Sequence, residues 1–141
     1  MSTEENKANV RRVYEEVFNQ GNLAVVDELF NPNHVYHDPG FPEPIRGPEG
    51  FKQYVLMYRN AFPDNTITIE DLIAEGDMIA VRHTYRGAHK GTLQGIPPTG
   101  KQVTVTAMVI SRTVDGKFAE TWFTGDILGL LQQLGVIPPM R

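Results

Sequence analysis

One carboxylate stands out in the sequence because of its position. Asp126 follows an apolar stretch that contains Trp122 and Phe123, and it precedes a short apolar run. This order predicts a strand that ends near the carboxylate and a helix that begins beside it. Next to two aromatic side chains we expect Asp126 to be poorly solvated, which would raise its pKa towards the range where it exchanges protons. Asp126 is therefore the leading candidate for a general acid/base, although aspartate is also a preferred helix N-cap.

Other polar and aromatic residues are expected to converge on the same place. Alternation along the last strand puts Phe118, Trp122 and Asp126 on one face, and Met108 and Arg112 of the preceding strand on a matching face. Two histidines and several helix residues complete the expected set: His37, His83, Tyr14, Phe51, Tyr54 and Tyr58. Aromatic walls with a few polar groups are typical of a small-molecule site, so an apolar ligand or substrate is the predicted partner.

Each of these residues also has a structural interpretation. Trp122, Tyr54 and Tyr58 can be ordinary core residues, and His83 can be a satisfied core histidine. Arg112 can be solvated or paired with Glu120. The spacing of His34, His37 and Asp38 would allow a metal site, but a strand end with one inward histidine explains it more simply, and we expect no metal.

Composition excludes several classes of function. The chain has 141 residues, a net charge of -4 and no cysteine. Without a basic stripe we expect no nucleic-acid partner. Cysteine chemistry is excluded, no run approaches the ~20 apolar residues of a membrane span, and the polar N-terminus carries no signal peptide. A cytoplasmic protein without a membrane partner is the expectation.

The elements that must position these residues can be read from periodicity. Apolar spacing predicts helices over residues 3–19, 23–30 and 48–62, and a closing helix over 126–134. Strands are predicted over 34–37, 66–73, 78–89, 103–113 and 117–125, with a proline-rich loop over 38–48. The order predicts one α+β domain over residues 1–141, in which three N-terminal helices pack on the concave face of a curved antiparallel sheet.

One strand suggests an oligomer. Residues 103–110 are apolar on both faces, and the helices can cover only one of them. We therefore expect a homodimer that forms through the other face of the sheet.

Several stretches together resemble the SnoaL-like polyketide cyclase (ester cyclase) family. The two most specific are Gly95-Ile96-Pro97-Pro98-Thr99-Gly100 and the tail from Asp126 through Gly129-Leu130-Leu131-Gln132-Gln133-Leu134-Gly135. Residues 10–22, Phe62-Pro63-Asp64 and Asp115-Gly116-Lys117 match in the same order. The resemblance implies the cone-shaped α+β fold that this family shares with nuclear transport factors, scytalone dehydratase and ketosteroid isomerase.

The resemblance also implies a reaction, the cofactor-free intramolecular aldol ring closure of a polyketide ester. Asp126 matches the family's proton-transferring aspartate, and Arg112 stands where the family has a histidine. An arginine beside Asp126 would lower the pKa of that carboxyl or stabilise an enolate oxygen, and His37 or His83 would then replace the missing imidazole. The alternatives are a binding module of the same fold without chemistry, and a related isomerase or hydrolase, for which Glu120 would be the further inward carboxylate.

Overall fold

Helices precede a meander of long strands, as predicted, in the computed structural model, which describes residues 2–139. The helices are α1 (Thr3–Arg12), α2 (Ala24–Leu29), α3 (Gly47–Ala61) and α4 (Ile127–Gln133), and a π-helical stretch (Val13–Asn19) continues α1. The strands are β1 (Phe30–His37), β2 (Ile45–Arg46), β3 (Thr66–Glu75), β4 (Met78–Ala88), β5 (Gln102–Val114) and β6 (Lys117–Gly125).

The first helix begins where the sequence predicts. The Ser2 hydroxyl accepts a hydrogen bond from the backbone N–H of Glu5 at 3.0 Å, which satisfies one of the free donors of the first turn. The predicted helix over 3–19 is confirmed in extent, but its second half winds as a π-helix, and Gly21 follows with a φ of 77°. Within residues 2–139 no helix is both long enough and apolar enough to cross a membrane.

The six strands form one curved sheet in the order β2-β1-β6-β5-β4-β3. Strands β3 to β6 pair antiparallel, as predicted, and β1 lies parallel to β6, which the sequence did not predict. Tight turns force the antiparallel direction only between consecutive strands, and β1 joins β6 without such a turn. Strand β1 also begins earlier than predicted, at Phe30, with a shift in its pairing between Phe30 and Val35.

The concave face of the sheet packs against the helices and forms the core. On β5, Val103, Val105 and Val109 are buried, whereas Met108 and Ile110 remain exposed on the convex face. This confirms that β5 is apolar on both sides. The α+β cone therefore has one covered face and one face that this chain leaves open.

A β-bulge in β6 decides which of its side chains face the core. Arg112 pairs with Glu120 but Thr113 pairs with Phe118, so Ala119 is the extra residue of β6. Strict alternation from Phe118 would place Trp122 and Asp126 inward with it, and that prediction is wrong. The bulge reverses the alternation, so Trp122 points to the convex side.

Candidate active site

A cavity of about 90 Å³ lies between the concave sheet, the π-helical stretch and α3, with α4 closing one side. Its walls are almost entirely aromatic and aliphatic. The aromatic lining consists of Tyr14, Phe18, Phe30, Tyr36, Phe51, Tyr54, Tyr58, Phe62, Tyr85, Phe118 and Phe123. Among the residues that the structure describes, no carboxylate lines this cavity, and His83, Ser111 and Thr121 are its polar side chains besides the tyrosines.

His83 and Tyr14 form a hydrogen-bonded pair inside the cavity. The Tyr14 hydroxyl lies 2.8 Å from Nδ1 of His83, and each residue is 7% exposed. Burial lowers the pKa of His83 to about 4 and raises the pKa of Tyr14 well above its usual value. At neutral pH the imidazole is therefore uncharged, and the tautomer of His83 decides whether Tyr14 or Nδ1 donates the hydrogen bond between them.

The second nitrogen of His83 is available to a ligand. No hydrogen bond among residues 2–139 engages Nε2, and this atom is not one of the buried polar atoms sealed off without a partner. Nε2 can accept a proton or donate one, depending on where the pair keeps its shared hydrogen. Such a group can act as a general base or acid towards a bound molecule.

A second polar site lies further along the cavity. Nε2 of the fully buried His34 lies 2.9 Å from the Thr121 hydroxyl, which is 3.2 Å from the Ser111 hydroxyl. Burial lowers the pKa of His34 to about 4, and its Nδ1 has no partner within the described chain. Ser111 lies four residues beyond Ala107, which pairs with His83. At ~3.3 Å per residue the two polar sites are roughly 13 Å apart.

The buried carboxylate of Asp38 lies next to the cavity, behind Tyr54, but does not line it. Tyr54 donates a hydrogen bond to Oδ2 of Asp38 at 2.8 Å, and Asp38 is only 7% exposed. The backbone N–H of Gly40 donates to the other oxygen at 2.8 Å. Burial raises the pKa of Tyr54 well above its usual value and that of Tyr58 to about 12, so both phenols are protonated donors at neutral pH.

Asp126 does not lie among the residues that line the cavity. It is exposed and caps α4, since its carboxylate accepts a hydrogen bond from the backbone N–H of Gly129 at 2.9 Å. The expectation of a poorly solvated carboxylate is wrong. The extra residue Ala119 reverses the assignment of later residues to the two faces, so Asp126 is not on the same face as Phe118. Arg112 is not its neighbour either. The backbone of Asp126 bonds to Thr106, six residues from Arg112, which is roughly 20 Å along β5.

His37 and Arg112 lie together on the convex side. Nε2 of His37 is 2.7 Å from Glu120, and Arg112 reaches the other oxygen of the same carboxylate at 3.4 Å. These contacts lower the pKa of Glu120, with the hydrogen bond from His37 as the largest cause. His37 also stacks on Trp122 with ring centroids 5.7 Å apart. Glu120 is therefore not an inward carboxylate.

The structure separates the predicted ligand-contacting residues into two groups. Tyr14, Phe51, Tyr54, Tyr58 and Phe118 line the cavity, whereas Trp122 and Met108 do not. Met108 is 63% exposed on the convex face.

Sequence reasoning missed several residues of the site: Tyr36, Asp38, Ser111, Thr121 and Phe123. Thr121 and Phe123 were missed because the bulge reverses the alternation on which the face assignment was based. Asp38 had one sequence signal, its position directly after a strand. Within residues 2–139 no cluster of side chains could hold a metal ion.

Fold and cavity together define an α+β cone with an aromatic site on its concave side. The chain belongs to the SnoaL-like polyketide cyclase family, whose model matches residues 8–134. It is 32% identical over 133 residues to the aklanonic acid methyl ester cyclase DnrD of Streptomyces peucetius, with 89% of this chain and 88% of that protein covered. The nogalonic acid methyl ester cyclase of Streptomyces nogalater is 33% identical over 121 residues, with 84% of this chain and 89% of that protein covered.

A solved structure agrees with this assignment. TsrD from Streptomyces laurentii superposes with a TM-score of 0.87 at 28% identity, over 97% of this chain and 99% of that one. The prediction of a SnoaL-like cone fold is confirmed, and the named relatives are ester cyclases.

Proposed function

We propose that this protein closes a ring in a polyketide methyl ester by a cofactor-free intramolecular aldol reaction, with His83 as the proton-transferring group. The observation that carries the proposal is the Tyr14–His83 pair, since it is the hydrogen-bonded acid/base pair whose two side chains both line the cavity. The relatives cited above supply the substrate class, a polyketide methyl ester such as that of aklanonic or nogalonic acid.

The chemistry requires one base and one donor. Nε2 of His83 removes a proton from a carbon next to a carbonyl, and the resulting enolate attacks a second carbonyl of the same molecule. A carbon–carbon bond forms, and the proton held by His83 passes to the new alkoxide, so the product is an isomer of the substrate. Tyr14 donates to the enolate oxygen when Nδ1 of His83 carries the shared hydrogen. Its donation is strengthened by the dry surroundings of the cavity.

The resemblance to the family offers a different base, Asp126. For Asp126 to act on a molecule in the cavity, its carboxylate would have to leave the cap of α4 and turn inward past Phe123. Because His83 needs no such rearrangement, we favour His83, and the two assignments predict opposite results for matched variants.

The test uses purified protein with aklanonic acid methyl ester and nogalonic acid methyl ester. Chromatography with mass detection follows a product of unchanged mass and altered retention. We expect His83→Gln to lower kcat/KM by roughly 10²–10⁴, the usual contribution of a positioned acid/base. Tyr14→Phe should lower it less, since imidazole remains, and Arg86→Gln on the exposed side of β4 is the control for a polar substitution.

Asp126→Asn distinguishes the alternatives. Asparagine still accepts the cap hydrogen bond from Gly129, so we expect near-parent turnover. If Asp126→Asn abolishes turnover in a folded protein while His83→Gln does not, Asp126 is the shuttle and our assignment is wrong. Binding of both esters without conversion would instead support the ligand-binding alternative, which the lack of a carboxylate among the described cavity residues favours.

We also propose that a second copy of the chain covers the convex face. Met108 is 63% exposed and Ile110 45%, and they lie two residues apart on the convex face of β5. Contiguous apolar side chains of this kind mark interaction surfaces. A face-to-face homodimer would remove these side chains from water, and Met108 and Ile110 do not line the cavity.

A further inference from the structure

A groove on the surface lies directly outside the cavity. It has a volume of about 340 Å³ and runs between the loop of residues 38–44 and the end of β6. Its aromatic walls are Phe41 and Trp122, and its polar ones include His37, Asp38 and Glu43. Phe123 lines both the groove and the cavity.

We propose that the groove is the outer half of the substrate site and that the Phe123 ring is the gate between the two halves. The inference rests on the proposed function, because it concerns the same substrate class. Ligand pockets for small molecules usually measure ~300–1,000 Å³, so a cavity of about 90 Å³ holds only the reacting end of a multi-ring ester. With the ring moved aside, groove and cavity together reach that range.

A wall that includes Phe123 lies between the two spaces. Besides the Phe123 ring, the wall contains the hydrogen bond from Tyr54, in the cavity, to Asp38, in the groove. The Phe123 centroid lies 6.3 Å from the His83 centroid, so a molecule that passes the ring arrives beside the Tyr14–His83 pair. Phe41 and Trp122 then offer flat faces on which the trailing rings can stack.

The loop side of the groove is held by hydrogen bonds, whereas the Phe123 side is held only by packing of the ring over Gly125. Asp38 fixes the loop through its contacts with Tyr54 and the N–H of Gly40, and the N–H of Phe41 bonds to the Asp38 carbonyl at 3.0 Å. On the other side, a Cβ placed on Gly125 would lie 2.6 Å from Cζ of Phe123. The absence of a side chain at Gly125 gives the ring its space.

Binding of an inert probe tests the gate without any turnover. Trp122 is the sole tryptophan of the chain and lies in the groove, so its quenching during rapid mixing shows a first phase when a probe fills the groove and a second phase when the probe passes Phe123. The association rate that tests the gate is the rate of the second phase. The probes are a neutral hydroxymethyl anthraquinone with three rings and acetophenone with one. We expect Phe123→Ala to raise the association rate of the three-ring probe roughly tenfold, and that of acetophenone by less than about twofold.

Phe118→Ala is the matched control. It removes the same ring from a cavity wall that does not face the groove, so it enlarges the cavity without opening it. Its association rate for the three-ring probe should stay within about twofold of the parent. Phe123→Leu provides a second gate variant if Phe123→Ala fails to fold, as judged by its thermal unfolding.

The proposal is overturned if folded Phe123→Ala or Phe123→Leu binds the three-ring probe at the parent rate, or if Phe118→Ala accelerates it equally. These results are independent of cyclisation. Faster probe binding in a protein that converts neither ester would retain the gate and reject the proposed function. Ester turnover with no effect of the Phe123 variants on probe binding would reject the gate and support the proposed function.

Discussion

The two buried histidines make the stability of this protein sensitive to acid. In the folded chain burial lowers the pKa of both His34 and His83 from 6.5 to about 4. In the unfolded chain each returns to an ordinary value near 6.5. The unfolded state therefore binds more protons between these limits, and the free energy of unfolding falls as the pH falls through this window. Above pH ~6.5 the full contribution is present.

The size of the effect follows from the pKa difference. One pKa unit corresponds to ~1.4 kcal/mol, so each histidine removes about 3 kcal/mol of stability once the pH is below 4. Near pH 5 each should contribute close to one proton to unfolding, or about 1.3 kcal/mol per pH unit. Against a typical total stability of ~5–15 kcal/mol, the loss from both is large.

Urea unfolding at a series of pH values between 4.5 and 7.5 measures this slope. We expect His83→Gln and His34→Gln each to reduce it by about one proton, and the double variant by about two. Val55→Ala, at a fully buried position on α3, should lower stability at every pH but leave the slope unchanged. If the double variant keeps the parent slope, the histidines are not held neutral by burial and the reasoning fails.

Three further predictions concern packing, assembly and capping. Gly125→Ala should lower the free energy of unfolding by about 1–2 kcal/mol, because the added methyl group would press against the Phe123 ring. In a Phe123→Ala background the loss should be less than ~0.5 kcal/mol, as measured in a double-mutant cycle of urea unfolding. Equal losses in both backgrounds would contradict the contact. Met108→Glu should make the protein monomeric in sedimentation equilibrium, and a parent that is already monomeric would refute the dimer. Ser2→Ala should lower the free energy of unfolding by ~1 kcal/mol, whereas Ser2→Asp, which can still cap α1, should retain it.

The sequence predicted the order of helices and strands well because each element carries its own periodic signal. The turn at Asp115-Gly116 and the apolar faces of β4 and β5 gave correct strand limits and placed His83 inward. The direction of β1 was not predictable in the same way, since no local signal encodes which distant strand it joins. The main error at the site was the inward placement of Asp126. That placement counted alternate residues of β6 from Phe118, and the extra residue Ala119 reverses the count.

Ala119 is a position where this chain can be shortened without exchanging the two sides of β6. Deleting it would make Phe118 and Glu120 direct neighbours that still pair with Thr113 and Arg112, so β5 and β6 would pair without an interruption. Thr121 and Phe123 would keep their inward direction, and Glu120 and Trp122 their outward one. The extra residue therefore sets the local bend and twist of the strand, and its loss would change the curvature of the sheet around the cavity more than the side chains that line it.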